Sequence, residues 1–371
     1  MKHKRSVRVG VVGGGLAGFV AYAMLRHGGL GPHDIAVFGT DPDPAGAWRR
    51  RAAAIRQRRM RSESDGHCLP TSFPGLAVRS ARRRRSVVPL VGSVCDRYHP
   101  TVEEFLDHVA ELRERSGWDE SFRRVRIERM RAVEGGFDLD REGVFPHVLL
   151  APGHPGLALP PELESDQRAV HAYEWHGYAD EVEIVGAGMA AATEWLNALA
   201  AGSSVVSVRR REPLRRPLNL PRELFTRRGL AAFQRTGAEE RAELLRGWSA
   251  PSYPPGRGWD EPLERAARRG RFRVSSELNG APQVICATGF RRGFRHDPLL
   301  ARIVAEHDLD TVAGWIVLAA DSTVPAVTDE SRTLALAGAP AQWAFPAADT
   351  LAGAKYSARR FLARVRAWRT R

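Results

Sequence analysis

Val7-Arg8-Val9-Gly10-Val11-Val12-Gly13-Gly14-Gly15-Leu16-Ala17-Gly18 is an apolar run that breaks into a glycine-rich turn. The pattern returns at Val182-Glu183-Ile184-Val185-Gly186-Ala187-Gly188-Met189-Ala190-Ala191. Each stretch reads as a buried strand, a tight turn and the start of a helix. Glycines there let the backbone bend sharply and approach a pyrophosphate, while the helix N-terminus offers free N–H groups and the positive end of its dipole. One such fingerprint is a weak signal. Two, each framed by strand and helix, imply two dinucleotides, and a flavin with a nicotinamide is the usual pair.

Strand and helix patterns alternate along the 371 residues, which predicts an α/β fold of two or three domains with parallel sheets. Met1-Lys2-His3-Lys4-Arg5 before an apolar run imitates a secretory leader. That run holds a complete fingerprint, so it reads as part of the working protein. No other stretch approaches the ~20 apolar residues of a membrane span. The three cysteines, Cys68, Cys95 and Cys286, are scattered and form no CxxC pair, which argues against a disulfide framework or a dithiol centre. The expectation is a cytoplasmic protein with no membrane association. The formal charge of +13 is carried almost wholly by arginine, in dispersed runs without interleaved aromatics. That pattern fits anionic small molecules better than nucleic acid. No HExxH, G-x-S-x-G or clustered His/Cys set is present, so neither a metal nor a nucleophile triad is expected. Oligomeric state is not legible.

In the first unit, Gly13, Gly15, Leu16, Ala17 and Gly18 are the candidate phosphate-binding residues. The second strand, Ile35-Ala36-Val37-Phe38, ends in Gly39, where an acid normally holds the adenosine ribose. The nearest carboxylate is Asp41, which either takes the ribose or caps a turn. Ala45-Gly46-Ala47-Trp48-Arg49 follows. Here the chain resembles the flavin-containing monooxygenases and the related N-hydroxylases and Baeyer–Villiger enzymes, which carry a similar Gly-Gly-x-Trp element beside the flavin. The resemblance implies flavin contacts for Trp48 and Arg49, against a simple core role for the tryptophan. It also places 60–67 near the isoalloxazine ring. The family often has an asparagine there. This chain has none, and Ser64 and His67, with Trp48, are the candidate catalytic residues. Thr101 and Glu104 form a capping-box pattern that opens a helix leading to a β-meander over 124–131, 136–140 and 147–150.

Val148-Leu149-Leu150-Ala151-Pro152-Gly153 and Val284-Ile285-Cys286-Ala287-Thr288-Gly289 resemble the two "ATG" signatures at which this superfamily crosses between domains. The implied architecture is two Rossmann-like dinucleotide-binding domains, the NAD(P) domain inserted in the FAD domain. The FAD domain would span 1–159 and 283–371, and the NADPH domain 160–282, with a helical insertion at 213–269. Val170-His171-Ala172-Tyr173-Glu174-Trp175 keeps part of a further family motif but lacks its Phe-x-Gly portion, which marks a divergent relative. Gly186, Gly188, Met189 and Ala190 are the candidate contacts in the second turn. Arg209 and Arg210, at the end of Val205-Val206-Ser207-Val208, are placed to receive the 2′-phosphate of NADPH. Thr288 and Gly289 join the cofactor set.

The strand before Gly338 predicts a turn at Gly338-Ala339, then Gln342, with Gly338 and Gln342 as candidate cofactor contacts, then a last helix from near Pro346 whose Asp349 and Thr350 either meet the flavin or cap the helix. Reductases of this superfamily often keep an acid where Ala339 stands. Its absence, with Gln342 nearby, favours the monooxygenase branch. The resemblance therefore implies an FAD-dependent enzyme that uses NADPH and O2 to oxygenate a nitrogen or sulfur nucleophile of a small molecule through a C4a-peroxyflavin. Two alternatives stay open: a flavin reductase or dehydrogenase passing electrons to a small or protein acceptor, and a flavin- or nucleotide-binding protein with little turnover. The substrate is not legible.

Overall fold

Val9–Val12 is buried on both faces, which requires cover on two sides. The computed structural model, which describes residues 9–60, 75–94, 99–216 and 220–369, supplies it. A five-stranded parallel sheet runs in the order Thr333–Leu336, His147–Leu150, Val9–Val12, Ile35–Gly39, Phe122–Arg124. Alternate residues go to opposite faces. Val9, Val11, Val37, Leu149 and Ala335 pack on the helices Leu16–His27, Val102–Ser116 and Leu351–Arg369. Val12, Phe38, Val148, Leu150, Leu334 and Leu336 pack on the other side against Phe137, Leu139, Phe145 and Trp343.

A second parallel sheet has the order Phe272–Ser275, Ser204–Val208, Glu181–Val185, Gln283–Cys286, Ala169–His171. Val182 and Ile184 face Trp195 and Ala198 of the helix Met189–Ala201. The architecture is α/β with two parallel, nucleotide-type sheets, as the paired fingerprints imply.

Three local expectations are corrected. The meander's strands are Met130–Val133, Gly136–Leu139 and Val144–Phe145. His147–Leu150 lies instead inside the first sheet, between Thr333–Leu336 and Val9–Val12, because its continuous apolar run suits burial on both faces. Gln283–Cys286 pairs with Glu181–Val185, so the chain leaves the second sheet after Cys286 and not at 282. The last helix begins at Leu351, not near Pro346. Thr350 caps it, its Oγ1 accepting the Gly353 N–H at 3.2 Å, and Asp349 lies outside it.

The stretch 213–269 also divides. Leu214–Arg215 pairs with Ser252–Tyr253 and closes a neck. Inside the neck, helices Arg227–Arg235 and Ala238–Trp248 place Phe233, Ala242 and Leu245 in the core of the first sheet. Gln234 Nε2 donates to the Ala344 carbonyl at 2.8 Å and to Tyr356 Oη at 3.1 Å. Beyond the neck, helix Arg257–Arg268 contributes Leu263 to the second sheet's core and leads into Phe272–Ser275, so it is an ordinary crossover helix. No described helix is long and apolar enough to cross a membrane.

Candidate nucleotide sites and the cavity between them

In the first turn each glycine has its own reason. Gly13 has φ +120°, and a Cβ there would sit 2.0 Å from the Ala151 carbonyl oxygen. A Cβ on Gly18 would sit 1.9 Å from the Gly13 oxygen. These two hold strand, turn and helix in close contact. Gly15 differs: nothing lies within 4 Å of its added Cβ. It is the N-cap of Leu16–His27, makes no side-chain cap and has no acid in the following turn. Open space over uncapped N–H groups is what a phosphate requires.

Gly39 approaches Gly14 so closely that a Cβ on it would lie 2.9 Å from Gly14 N. That contact explains a glycine where an acid is usual. Asp41 lies beside it, its backbone oxygen 3.2 Å from a Cβ built on Gly14. Its carboxylate accepts from the Asp43 N–H at 3.0 Å and pairs with Arg50 at 3.2 Å. Burial works to raise its pKa, but these partners hold it below the ordinary value. Trp48 packs edge-on against Phe105, ring centroids 5.0 Å apart. Arg49 pairs with Asp43 at 3.0 Å. Ser64 and His67 lie outside the described residues.

The second turn repeats the design. Gly186 has φ +129° and meets the Ala287 oxygen, 2.6 Å from an added Cβ. Gly188 is the uncapped N-cap of Met189–Ala201, again without an acid in the first turn. Arg209 follows the second strand of this sheet. Its side chain is 13% exposed, bonded to Glu212 at 3.0 Å and set over the Trp195 ring. Arg210 is 84% exposed and reaches Glu162 at 3.1 Å. Arg215, which the motif reading passed over, lies over the Tyr253 ring at 4.2 Å beside the same turn. Only the neck pairing of Leu214–Arg215 with Ser252–Tyr253 brings it there.

A cavity of about 670 Å³ joins the second turn to the C-terminal segment. Gly186, Gly188, Met189 and Ala190 line one end, and Ala339, Gln342, Asp349 and Thr350 the other, with Thr288 and Gly289 between. Gly338, at φ +73°, stands 3.4 Å from Ala17 Cβ by its added Cβ, so the C-terminal turn touches the first fingerprint helix. Thr288 Oγ1 donates to the Ala158 carbonyl, and the Gly289 carbonyl accepts from Ala158 N at 3.0 Å. The two crossing segments are thus tied together. Phe290 is stacked between His154 (4.1 Å) and Tyr173 (5.1 Å), with the Arg51 guanidinium 4.7 Å from its ring centre. Burial, aided by Arg51 and Arg292, pushes His154 down to about 4, so it is neutral near pH 7. This ladder draws on positions far apart in sequence, and no spacing rule announces it.

No protein-family model matches the chain, and no curated protein is similar to it in sequence. Solved structures are similar across nearly its whole length. Ornithine hydroxylase (PvdA) from Pseudomonas aeruginosa is 17% identical with a TM-score of 0.71, covering 98% of this chain and 99% of that one. The Kutzneria sp. 744 ornithine N-hydroxylase KtzI gives 14%, 0.70, 97% and 99%. This chain has their fold. The bacillithiol disulfide reductase Bdr (YpdA) from Bacillus cereus is also similar, at 13% identity and a TM-score of 0.59, covering 96% of this chain and 99% of that one. Both oxygenating and reducing enzymes therefore share this architecture, and activity has to be argued from the site.

Proposed function

We propose that this protein is an FAD-dependent oxidoreductase, an NADPH-dependent monooxygenase that oxygenates a nitrogen or sulfur nucleophile of a small molecule. The observation that carries the reading is the single cavity running from the second uncapped helix N-terminus to the C-terminal turn that touches the first. Two dinucleotides seated on the two turns would meet in it. The similar Kutzneria enzyme is described with reduced FAD, NADP+ and L-ornithine.

When bound, FAD supplies the redox chemistry and the activation of O2, and NADPH supplies the hydride. The chain's residues bind, orient and exclude water. Gly15 and the N–H groups of the helix Leu16–His27 receive the FAD pyrophosphate, and Asp41, beside Gly14, its ribose. Trp48 and Arg49, at the start of the next helix, flank the flavin. Gly188, Met189 and Ala190 receive the NADPH pyrophosphate, and Arg209 and Arg210 its 2′-phosphate. Gln342, Thr288 and Gly289 line the meeting place. Leu220, Phe225, Leu245 and Trp248 of the insertion wall it with apolar surface. A dry site favours oxygen transfer over loss of peroxide. In this reading the FAD domain is 1–159 plus the chain after Cys286, and the NADPH domain lies between them.

The test is product balance. Protein reconstituted with FAD is given NADPH, O2 and a panel of amines and sulfides. Oxygenated product should account for most of the NADPH consumed with at least one class. Peroxide alone across the whole panel would move the assignment to a reductase. Failure to retain FAD would overturn the reading altogether.

A further inference from the structure

The cavity wall divides by chemistry. Leu220, Phe225, Leu245, Trp248, Trp315 and Ile316 make one side apolar. Ionisable groups on the remaining wall are few, and most are already engaged. Asp297 Oδ1 accepts the Leu300 N–H at 3.0 Å as a helix cap. Arg291 is held by Glu164 at 3.4 Å. His154 is neutral and stacked on Phe290. Asp349 is different. It lines the cavity and is exposed to it. It hydrogen-bonds Gln342 and its own backbone N–H, and no described residue forms an ion pair with it. Arg292, exposed at the rim, is the one cation whose field reaches it. Desolvation by the surrounding protein raises its pKa despite those neighbours.

We infer that this cavity takes a primary amine with a bulky apolar body, its ammonium group seated on Asp349 and Gln342 and its body against Phe225, Leu245 and Trp248. The inference rests on the proposed function, and takes the Asp349 end of the cavity as the part that receives the substrate once both cofactors are bound. An ammonium gives Asp349 the ion-pair partner it lacks, and a charge-assisted carboxylate–ammonium hydrogen bond is among the strong ones. A small diamino acid suits the site poorly. Its second ammonium and its carboxylate would lose water against the apolar wall.

The experiment measures binding, apart from turnover. FAD-reconstituted protein without NADPH is titrated calorimetrically with 4-phenylbutylamine, with 4-phenylbutanol, which keeps the body and removes the charge, and with L-ornithine. The amine should bind about tenfold or more tightly than the alcohol, and more tightly than L-ornithine. Asp349→Asn should bring the amine-to-alcohol ratio close to one and leave alcohol affinity unchanged, which also reports an intact fold. Gln342→Glu adds a second carboxylate and should raise the ratio. It decides the matter if Asp349→Asn does not fold. Trp248→Ala should weaken amine and alcohol alike. An unchanged ratio in Asp349→Asn with a shifted flavin spectrum would mean that Asp349 serves the flavin, and would overturn the inference. L-ornithine binding as tightly as the arylalkylamine would overturn it too. The predicted binding pattern without oxygenated product would sink the proposed function but keep this site. Oxygenated product without the pattern would do the reverse.

Discussion

Replacing Gly15 separates phosphate binding from folding, because its neighbours Gly13 and Gly18 are structural and it is not. Its backbone is ordinary, φ −81° and ψ −173°, and its added Cβ meets nothing within 4 Å. Gly15→Val therefore introduces no clash. Valine is a poorer N-cap than glycine, which costs about 0.5–1 kcal/mol and moves Tm by only about 2–3 °C. The branched side chain does project over the first N–H groups of Leu16–His27. Loss of two charge-assisted N–H contacts to a pyrophosphate costs about 3 kcal/mol or more, roughly a hundredfold in FAD affinity. Gly18→Ala is the contrasting variant. Its Cβ would sit 1.9 Å from the Gly13 oxygen, within a buried turn that can shift little. Such overpacking costs about 3 kcal/mol, or a Tm lower by about 5–10 °C, before any ligand is considered. The assay pairs flavin absorbance after gel filtration with a thermal melt of the flavin-stripped protein. Gly15→Val should melt like the wild type and emerge colourless. Full flavin retention in a well-folded Gly15→Val would refute the argument that this open space is the phosphate site.

Further predictions follow from other parts of the structure. Arg209→Ala should reduce kcat/KM for NADPH by about ten- to a hundredfold while sparing NADH, the value of a charge-assisted phosphate contact; equal losses for both cofactors would remove Arg209 from the 2′-phosphate site. His147 is buried on an inner strand of the first sheet against Trp368, with no hydrogen-bond partner for either ring nitrogen, and burial holds it down to about 4. It stays neutral in the fold but protonates in the unfolded chain below about 6.5. Its contribution is therefore complete above pH 6.5 and falls by about 3 kcal/mol as pH drops towards 4. His176, whose pKa is raised, works in the opposite sense. His147→Phe should reduce the fall of the denaturant midpoint between pH 7 and 4.5, with His108 and His154, also held down to about 4, keeping part of it; an unchanged slope would show that His147 is solvated. Glu194 is fully buried and bonds His176 Nε2 at 2.9 Å and Tyr178 Oη at 2.8 Å. Glu194→Ala should cost about 3 kcal/mol in urea unfolding, and a loss below about 1 kcal/mol would show that the pair is dispensable.

The two fingerprints were legible because phosphate binding on a helix N-terminus is local chemistry. A strand, a few glycines and a helix lie within twenty residues, so pattern alone reveals them. The capping box at Thr101 and Glu104 was legible for the same reason, and the structure closes it in both directions, at 3.1 and 3.0 Å. His147–Leu150 reads from sequence as part of the meander yet pairs in the first sheet, because an apolar run states that it is buried but not in which sheet. Tertiary structure alone decided the site between the turns. Asp349 reads from sequence as a cap or a flavin contact; the fold sets it in a cavity with Gln342. The His154, Phe290 and Tyr173 stack, and the insertion's apolar wall facing the C-terminal segment, come from strands and helices that meet only when both sheets are built. Sequence determines contacts that close over a few residues. Contacts that require the closure of long loops depend on how whole sheets pack, and a single sequence carries no local mark of them.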